Sequence, residues 1–248
     1  VKTICLCNHK GGVAKTTSAY HLGLLLAECQ IRTLLVDLDP QANLTERFAL
    51  GRLDLTVADV LGGVPGVTMD DAIIDVERSL SLCPSEFQLA NVATALLSDA
   101  VRGRTALARA LRSVADGYDV TIIDCPPEAG ILLVNALLAG DGVLLPAEPE
   151  ADALAGAARV VEIIEQIRVE FERERPAILG AVATRIDLRT NRHADGLELM
   201  RKSATAPLWA EIPLRNGDGR EQSLQVAYRP VATELILWLE RWAHEEGR

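Results

Sequence analysis

His9–Lys10–Gly11–Gly12–Val13–Ala14–Lys15–Thr16–Thr17 follows an apolar run at residues 3–7 and precedes a segment of helical period at residues 16–29. A strand, a glycine loop and a helix opening on Lys–Thr are the context that a Walker A phosphate loop requires. Amides of the loop and of the first helical turn lack intrahelical partners, and the helix dipole adds partial positive charge. Together they form an anion site. Gly11 and Gly12 carry no Cβ, so the backbone can approach phosphate oxygens. Lys15 supplies a point charge to terminal phosphates, and the Thr16 hydroxyl is suited to ligate Mg²⁺. Ala14 stands where the general pattern has glycine. A left-handed backbone there would cost alanine about 1 kcal/mol, so the expectation is a negative φ at residue 14.

Working outward, short apolar runs at 33–36, 80–83, 120–123, 142–145 and 178–183 alternate with helix-period segments at 86–97, 105–115, 153–174 and 192–202. This alternation predicts an α/β fold, a mostly parallel twisted β-sheet with helices on both faces. Most of the runs are continuously apolar, as strands buried on both faces are. The glycine-rich stretch 51–67 reads as a short helix flanked by loops, and the chain closes with two helical segments, 221–227 and 231–246. No repeat, low-complexity tract or long linker interrupts the pattern, so one domain over residues 1–248 is expected.

The hydrophobic share of 49% and the charged share of 24% are those of an ordinary globular chain. No apolar run has the length of a membrane span, and no leader pattern opens the sequence. Five cysteines without a CxxC pair argue against a disulfide framework, a zinc site or a thiol-redox motif, and imply a reduced, cytoplasmic protein. Cys125 sits in an apolar strand beside Asp124, with no second cysteine placed to share a cluster with it. The net charge of −10 disfavours a wholly basic nucleic-acid binder. From Arg185 to Arg220, however, seven basic residues stand against five acidic ones, whereas the rest of the chain has 18 basic and 30 acidic. A polyanion partner is expected to meet that stretch.

The segment Lys10–Gly11–Gly12–Val13–Ala14–Lys15–Thr16–Thr17 resembles the deviant Walker A of the ParA/Soj/MinD superfamily of P-loop NTPases. Leu34–Leu35–Val36–Asp37–Leu38–Asp39–Pro40–Gln41–Ala42–Asn43 is similar to that superfamily's second signature. Val120–Thr121–Ile122–Ile123–Asp124–Cys125–Pro126–Pro127 resembles its Walker B strand. The order and spacing match over nearly the whole chain, and the likeness is to the compact ParA/Soj partition ATPases that lack an N-terminal DNA-binding extension.

The resemblance implies ATP/ADP and Mg²⁺ as cofactors, with Lys10 through Thr17 holding phosphates. Lys10 would be the signature lysine, reaching phosphate oxygens across an ATP-sandwich homodimer, where a second cation offsets transition-state charge as an arginine finger does. Asp39 resembles the residue that orients the attacking water, and it follows a strand, at the edge where open α/β sheets bind ligands. Lys10, Lys15 and Asp39 are thus the catalytic candidates, and Thr16, Asp39 and Asp124 the metal candidates. Asp37 supports the Mg²⁺ shell or the loop. Thr184–Arg185–Ile186–Asp187–Leu188–Arg189–Thr190 and Ile212–Pro213–Leu214–Arg215–Asn216 look similar to the adenine site, which puts Arg185, Asp187, Pro213 and Arg215 on the nucleotide. Gly217–Asp218–Gly219 departs from the pattern.

The activity implied is chromosome or plasmid partition. The dimer binds DNA without sequence preference, and a ParB-like centromere-binding partner stimulates an otherwise weak hydrolysis on the bacterial nucleoid. Salt-sensitive phosphate contacts suit such binding, and Arg189, Arg192, Arg201, Lys202, Arg215 and Arg220 are the candidates. The alternative is a positioning ATPase for a protein cargo or, as in MinD, a membrane surface. The C-terminal segment is amphipathic but acidic, which anionic lipid repels, so no stable membrane association is expected. Trp238 and Trp242 read as a pair on its inner face. A cluster-bridging reductase lacks the second cysteine, and a P-loop kinase or amide-forming synthetase lacks a distinct acceptor motif.

Overall fold

The predicted strands form as β1 (Lys2–Leu6), β2 (Thr33–Asp37), β4 (Leu80–Cys83), β5 (Val120–Asp124), β6 (Gly142–Ala147) and β7 (Ala177–Ile186). The structure, a computed structural model, describes residues 1–99, 102–215 and 220–246. These six strands pair in parallel in the order β4-β2-β5-β1-β6-β7. Two short strands that the sequence pattern did not mark extend the sheet to eight. β3 (Ile74–Glu77) runs antiparallel to β4 at one edge, and β8 (Leu208–Pro213) parallel to β7 at the other. Both alternate or break their apolar pattern because an edge strand is covered on one side only.

The continuous apolar runs divide between two cores by the two-residue period of a strand. Ile4, Leu6, Leu35 and Ile122 face α1 (Lys15–Glu28) and α9 (Arg220–Glu246). Cys5, Cys7, Leu34, Val36 and Ile123 face the opposite layer. That layer is built from α3 (Val57–Gly62), α4 (Leu89–Ser98), α5 (Ala106–Arg112), α6 (Ile131–Ala139), α7 (Ala151–Glu170) and α8 (Asn191–Arg201). α3 is the short helix expected in the glycine-rich stretch, and Thr56 and Asp59 close it with a capping box.

α6 was not legible as a helix. Its sequence, ILLVNALLA, is apolar on every side, and such a run has no period to read. Its one polar residue, Asn135, is fully buried and ties three segments. Its amide donates to the Gly103 carbonyl at 2.7 Å and to Ile131 at 3.0 Å, and its Oδ1 accepts from the Leu107 amide at 3.1 Å.

The two closing helices are one. α9 runs unbroken through Pro230, against the expected break at 228–230. Proline removes one helical hydrogen bond, but Leu224, Tyr228, Val231 and Leu235 are buried in one stripe on the sheet and hold both halves in line. Trp238 packs beside that stripe, and the Lys2 ammonium sits 3.3 Å from the Trp242 ring centre.

The cysteine reading also changes. Cys7 Sγ lies 3.3 Å from Cys125 Sγ, so a second cysteine does stand beside Cys125. Both are wholly buried beneath the sheet, and burial pushes both thiols well above their usual range. Residues 4–7 and 122–125 are not neighbours in sequence, and only the β1–β5 pairing brings the two thiols together.

Candidate functional site

Three strand ends lie flush, because Asp124 stands opposite both Leu6 and Asp37 in the ladder. The segments that leave β1, β2 and β5 therefore converge at the carboxyl edge of the sheet, where open α/β folds bind ligands. A cavity of about 530 Å³ opens there. One side is Gly11, Gly12, Ala14, Lys15, Thr16 and Thr17; a second is Asp39, Gln41 and the short helix α2 (Asn43–Arg47), through Asn43 and Arg47. Thr184, Arg185, Ile212 through Arg215, Arg220, Leu224 and Tyr228 also line the cavity.

α1 enters this cavity with no side-chain cap and no acidic residue in its first turn, so its dipole and free amides face the space. Gly12 takes φ 80°, as a glycine can. Ala14 corrects the expectation of a negative φ, with φ 64° and ψ 29°. The turn from loop into helix needs a left-handed residue at the N-cap, and neighbours lock it in place. The Ala14 carbonyl accepts from the Ser18 amide at 2.9 Å and the Ser18 hydroxyl at 2.8 Å. One residue earlier, Thr184 Oγ1 donates to the Val13 carbonyl at 3.0 Å. Val13 itself is buried in the core, so only its backbone serves the loop.

Asp124 carries the clearest sign of a ligand site. Its Oδ2 accepts from the Thr16 hydroxyl at 2.6 Å, while its buried Oδ1 has no partner among the described residues. Burial, reinforced by the charge of Asp37, pushes this carboxyl up to about 8. A buried carboxylate oxygen without a partner is costly, and a divalent cation beside a threonine hydroxyl would satisfy it. Thr16 and Asp124 thus fit Mg²⁺. Asp39 lines the same cavity, with Oδ1 accepting from the Gln41 amide at 2.9 Å.

Asp37 resolves between its two expected roles. Its Oδ2 accepts from the Thr45 amide at 2.9 Å and the Thr45 hydroxyl at 2.8 Å, and its Oδ1 from the Asp39 amide at 3.2 Å. Wholly buried, it folds the loop that presents Asp39; burial raises its carboxyl to about 6.

Lys15 is buried and donates to the Lys10 carbonyl at 3.4 Å. Lys10 does not line the cavity. Its ammonium lies 3.6 Å from Glu150 Oε2. The His193 ring also faces this carboxylate, Nε2 standing 3.2 Å from Glu150 Oε1. His193 Nδ1 accepts the Asp187 amide at 2.9 Å, which leaves the proton on Nε2. Asn8 fixes the start of the loop. Its side-chain amide donates to the Pro146 carbonyl at 2.8 Å and the Ala153 carbonyl at 3.1 Å, and its Oδ1 accepts from the Lys10 amide at 2.9 Å. Asn8, Glu150, His193 and Arg47 carried no readable signal, because each acts through a residue distant in the chain.

At the expected base end, Arg185, Pro213 and Arg215 line the cavity, whereas Asp187 does not. Its carboxylate takes two hydrogen bonds from the Arg189 guanidinium, at 2.7 and 2.6 Å, which hold it down at about 2. Arg185 lies 2.8 Å from Glu148. The basic stretch divides. Arg215 and Arg220 face the cavity, while Arg189, Arg201 and Lys202 pair at the surface with Asp187, Glu211 and Glu198. Arg192 borders a cleft with Asp195. Asn216 and Gly217–Asp218–Gly219 lie outside the described residues.

Comparison with known proteins gives the family. The family AAA_31, described as an AAA domain, matches residues 1–175. An uncharacterized protein of Mycobacterium tuberculosis is 41% identical over 194 residues, 76% of this chain but 59% of its own length. The chromosome-partitioning ATPase Soj of Thermus thermophilus is 38% identical over 190 residues, covering 77% of this chain and 72% of the relative. Among solved structures, the cobyrinic acid a,c-diamide synthase of Mycobacterium smegmatis, with bound ATP analog and magnesium, superposes with a TM-score of 0.83. It is 32% identical, and the match covers 100% of this chain and 97% of that one. With its glycine loop after β1, Asp37 ending β2 and Asp39 just beyond it, and Asp124 ending β5, the chain belongs to the ParA/Soj-type ATPase family.

Proposed function

We propose that the protein binds ATP with Mg²⁺ in this cavity and hydrolyses it weakly until stimulated, as a partition ATPase for chromosomal or plasmid DNA. The observation that carries the reading is the convergence of Lys15, Thr16, Asp39 and the unpartnered Asp124 Oδ1 at one strand edge. Phosphate-loop amides and Lys15 bind the polyphosphate, and Asp39 orients the attacking water and takes up its proton. Thr16 and Asp124 hold the metal, which when bound neutralises charge on the phosphate oxygens.

Lys10 supports a dimeric reading. It stands at the loop yet outside its own subunit's cavity, with its ammonium beside Glu150. A homodimer formed on ATP would carry it toward the partner's phosphates. DNA would then be held without sequence preference by Arg189, Arg192, Arg201 and Lys202. The Arg201–Glu211 and Lys202–Glu198 pairs are exposed, contribute little, and can exchange for backbone phosphate. Arg215 and Arg220 serve the nucleotide cavity more directly than DNA. A ParB-like protein at the cargo locus is the stimulating partner, and the setting is the nucleoid in the cytoplasm. No described helix is long and apolar enough to cross a membrane.

DNA binding with ATP, ADP and no nucleotide across a salt series tests the proposal. ATP-dependent, sequence-independent binding that weakens steeply with salt is expected. Equal binding in all three states would overturn it. A second reading, formation of an a,c-diamide from cobyrinic acid, rests on likeness to the mycobacterial synthase along the whole chain. It predicts ATP turnover that depends on cobyrinic acid and not on DNA or a ParB-like protein.

A further inference from the structure

Arg47 ends α2 and reaches into the cavity beside Thr17. Three contacts from two other helices hold its guanidinium. Nη2 donates to Thr17 Oγ1 at 3.1 Å, Nη1 lies 3.5 Å from Glu221 Oε2, and the group stands 5.1 Å from the Tyr20 ring centre. The side chain is 25% exposed and Glu221 is 53% exposed, so this long ion pair is weak. A guanidinium has five donors in a planar fork, and Arg47 commits one of them to a close hydrogen bond, the one to Thr17. The fork is therefore positioned chiefly by Thr17 and Tyr20 of α1, lines the cavity and keeps donors to spare, which is the arrangement that suits a phosphate.

We infer that Arg47 is a phosphate-binding residue for the nucleotide of its own subunit, contacting an oxygen that ATP and ADP share. This rests on reading the cavity as a nucleotide site. The choice of phosphate follows from the two threonines. Thr16 is committed to Asp124, at the end where metal and terminal phosphate meet. Thr17 is the next residue into α1, and its hydroxyl is turned to Arg47 instead. The guanidinium is thus set off from the metal end, on the side of α9 at Glu221.

The test is calorimetric binding of ATP and of ADP, each with Mg²⁺, to wild type, Arg47→Gln and Arg47→Lys, with the melting temperature of each nucleotide-free protein alongside. Gln removes the charge but keeps a polar side chain of good helix propensity, while Lys keeps the charge without the fork, so at least one variant should fold. Arg47→Gln should weaken both nucleotides by the same factor, about ten- to a hundredfold, and Arg47→Lys should restore part of the loss. Unchanged affinities with a lowered melting temperature would make Arg47 a tie between α2 and α9 and overturn the inference. Weakening of ATP alone would overturn the shared-phosphate assignment. A wild-type protein that bound neither nucleotide would instead overturn the nucleotide reading on which the inference rests.

Discussion

At the scale of single residues, the left-handed Ala14 and the buried Asp37–Asp39 pair decide the behaviour of the site. Ala14 keeps φ 64° only because Ser18 and Thr184 hold the residues around it. Ala14→Gly should leave stability within about 1 kcal/mol of wild type, since relief of the left-handed strain offsets the greater freedom of the unfolded chain. Ala14→Val, β-branched at the same φ, should cost about 1–3 kcal/mol, measured by urea unfolding. Asp39 presents its carboxylate to the cavity while Asp37 folds the loop behind it. Asp39→Ala is therefore expected to bind ATP normally and to lose at least about a hundredfold in kcat. Wild-type turnover in that variant would remove Asp39 from the mechanism.

At the scale of elements, α7 sets where the phosphate loop begins. A Cβ on Gly156 would lie 2.4 Å from Asn8 Oδ1 and 3.0 Å from the Lys10 amide. Asn8 is the side chain that joins Pro146, Ala153 and Lys10, so it has no slack to give. Gly156→Ala gains about 1 kcal/mol in helix propensity and loses about 1–3 kcal/mol to overpacking. A net loss of up to about 2 kcal/mol is expected on unfolding, together with reduced ATP affinity because the loop shifts. A more stable variant with unchanged affinity would show that α7 does not set the loop. This coupling explains a miss at the sequence level. Gly156 reads as a small residue in a helix, and its meaning comes from a loop nearly 150 residues earlier.

At the scale of the whole molecule, Lys10 is the residue through which the proposed dimer would be tested. With its ammonium beside Glu150, it is expected to work on a second copy of the chain. Lys10→Ala should bind ATP with wild-type affinity yet remain monomeric in light scattering with ATP, where wild type is expected to become dimeric. An unchanged ATP-dependent dimer would count against the cross-subunit role. Much of this molecule was legible along the chain. The glycine loop, the strand-ending carboxylates and six strands rest on local signals, because turn chemistry and apolar period act over a few residues. The tertiary structure decided the rest. It set the hand of Ala14, the continuity of α9 through Pro230 and the burial of α6, and it placed Glu150 and Arg47 on the loop. It also paired three of the seven basic residues of the basic stretch at the surface and set Arg215 and Arg220 at the nucleotide cavity. The reason is physical. Thr16 meets Asp124 across 108 positions of sequence only because β1 pairs with β5, and strand order is fixed by the packing of two buried faces rather than by any short stretch of chain.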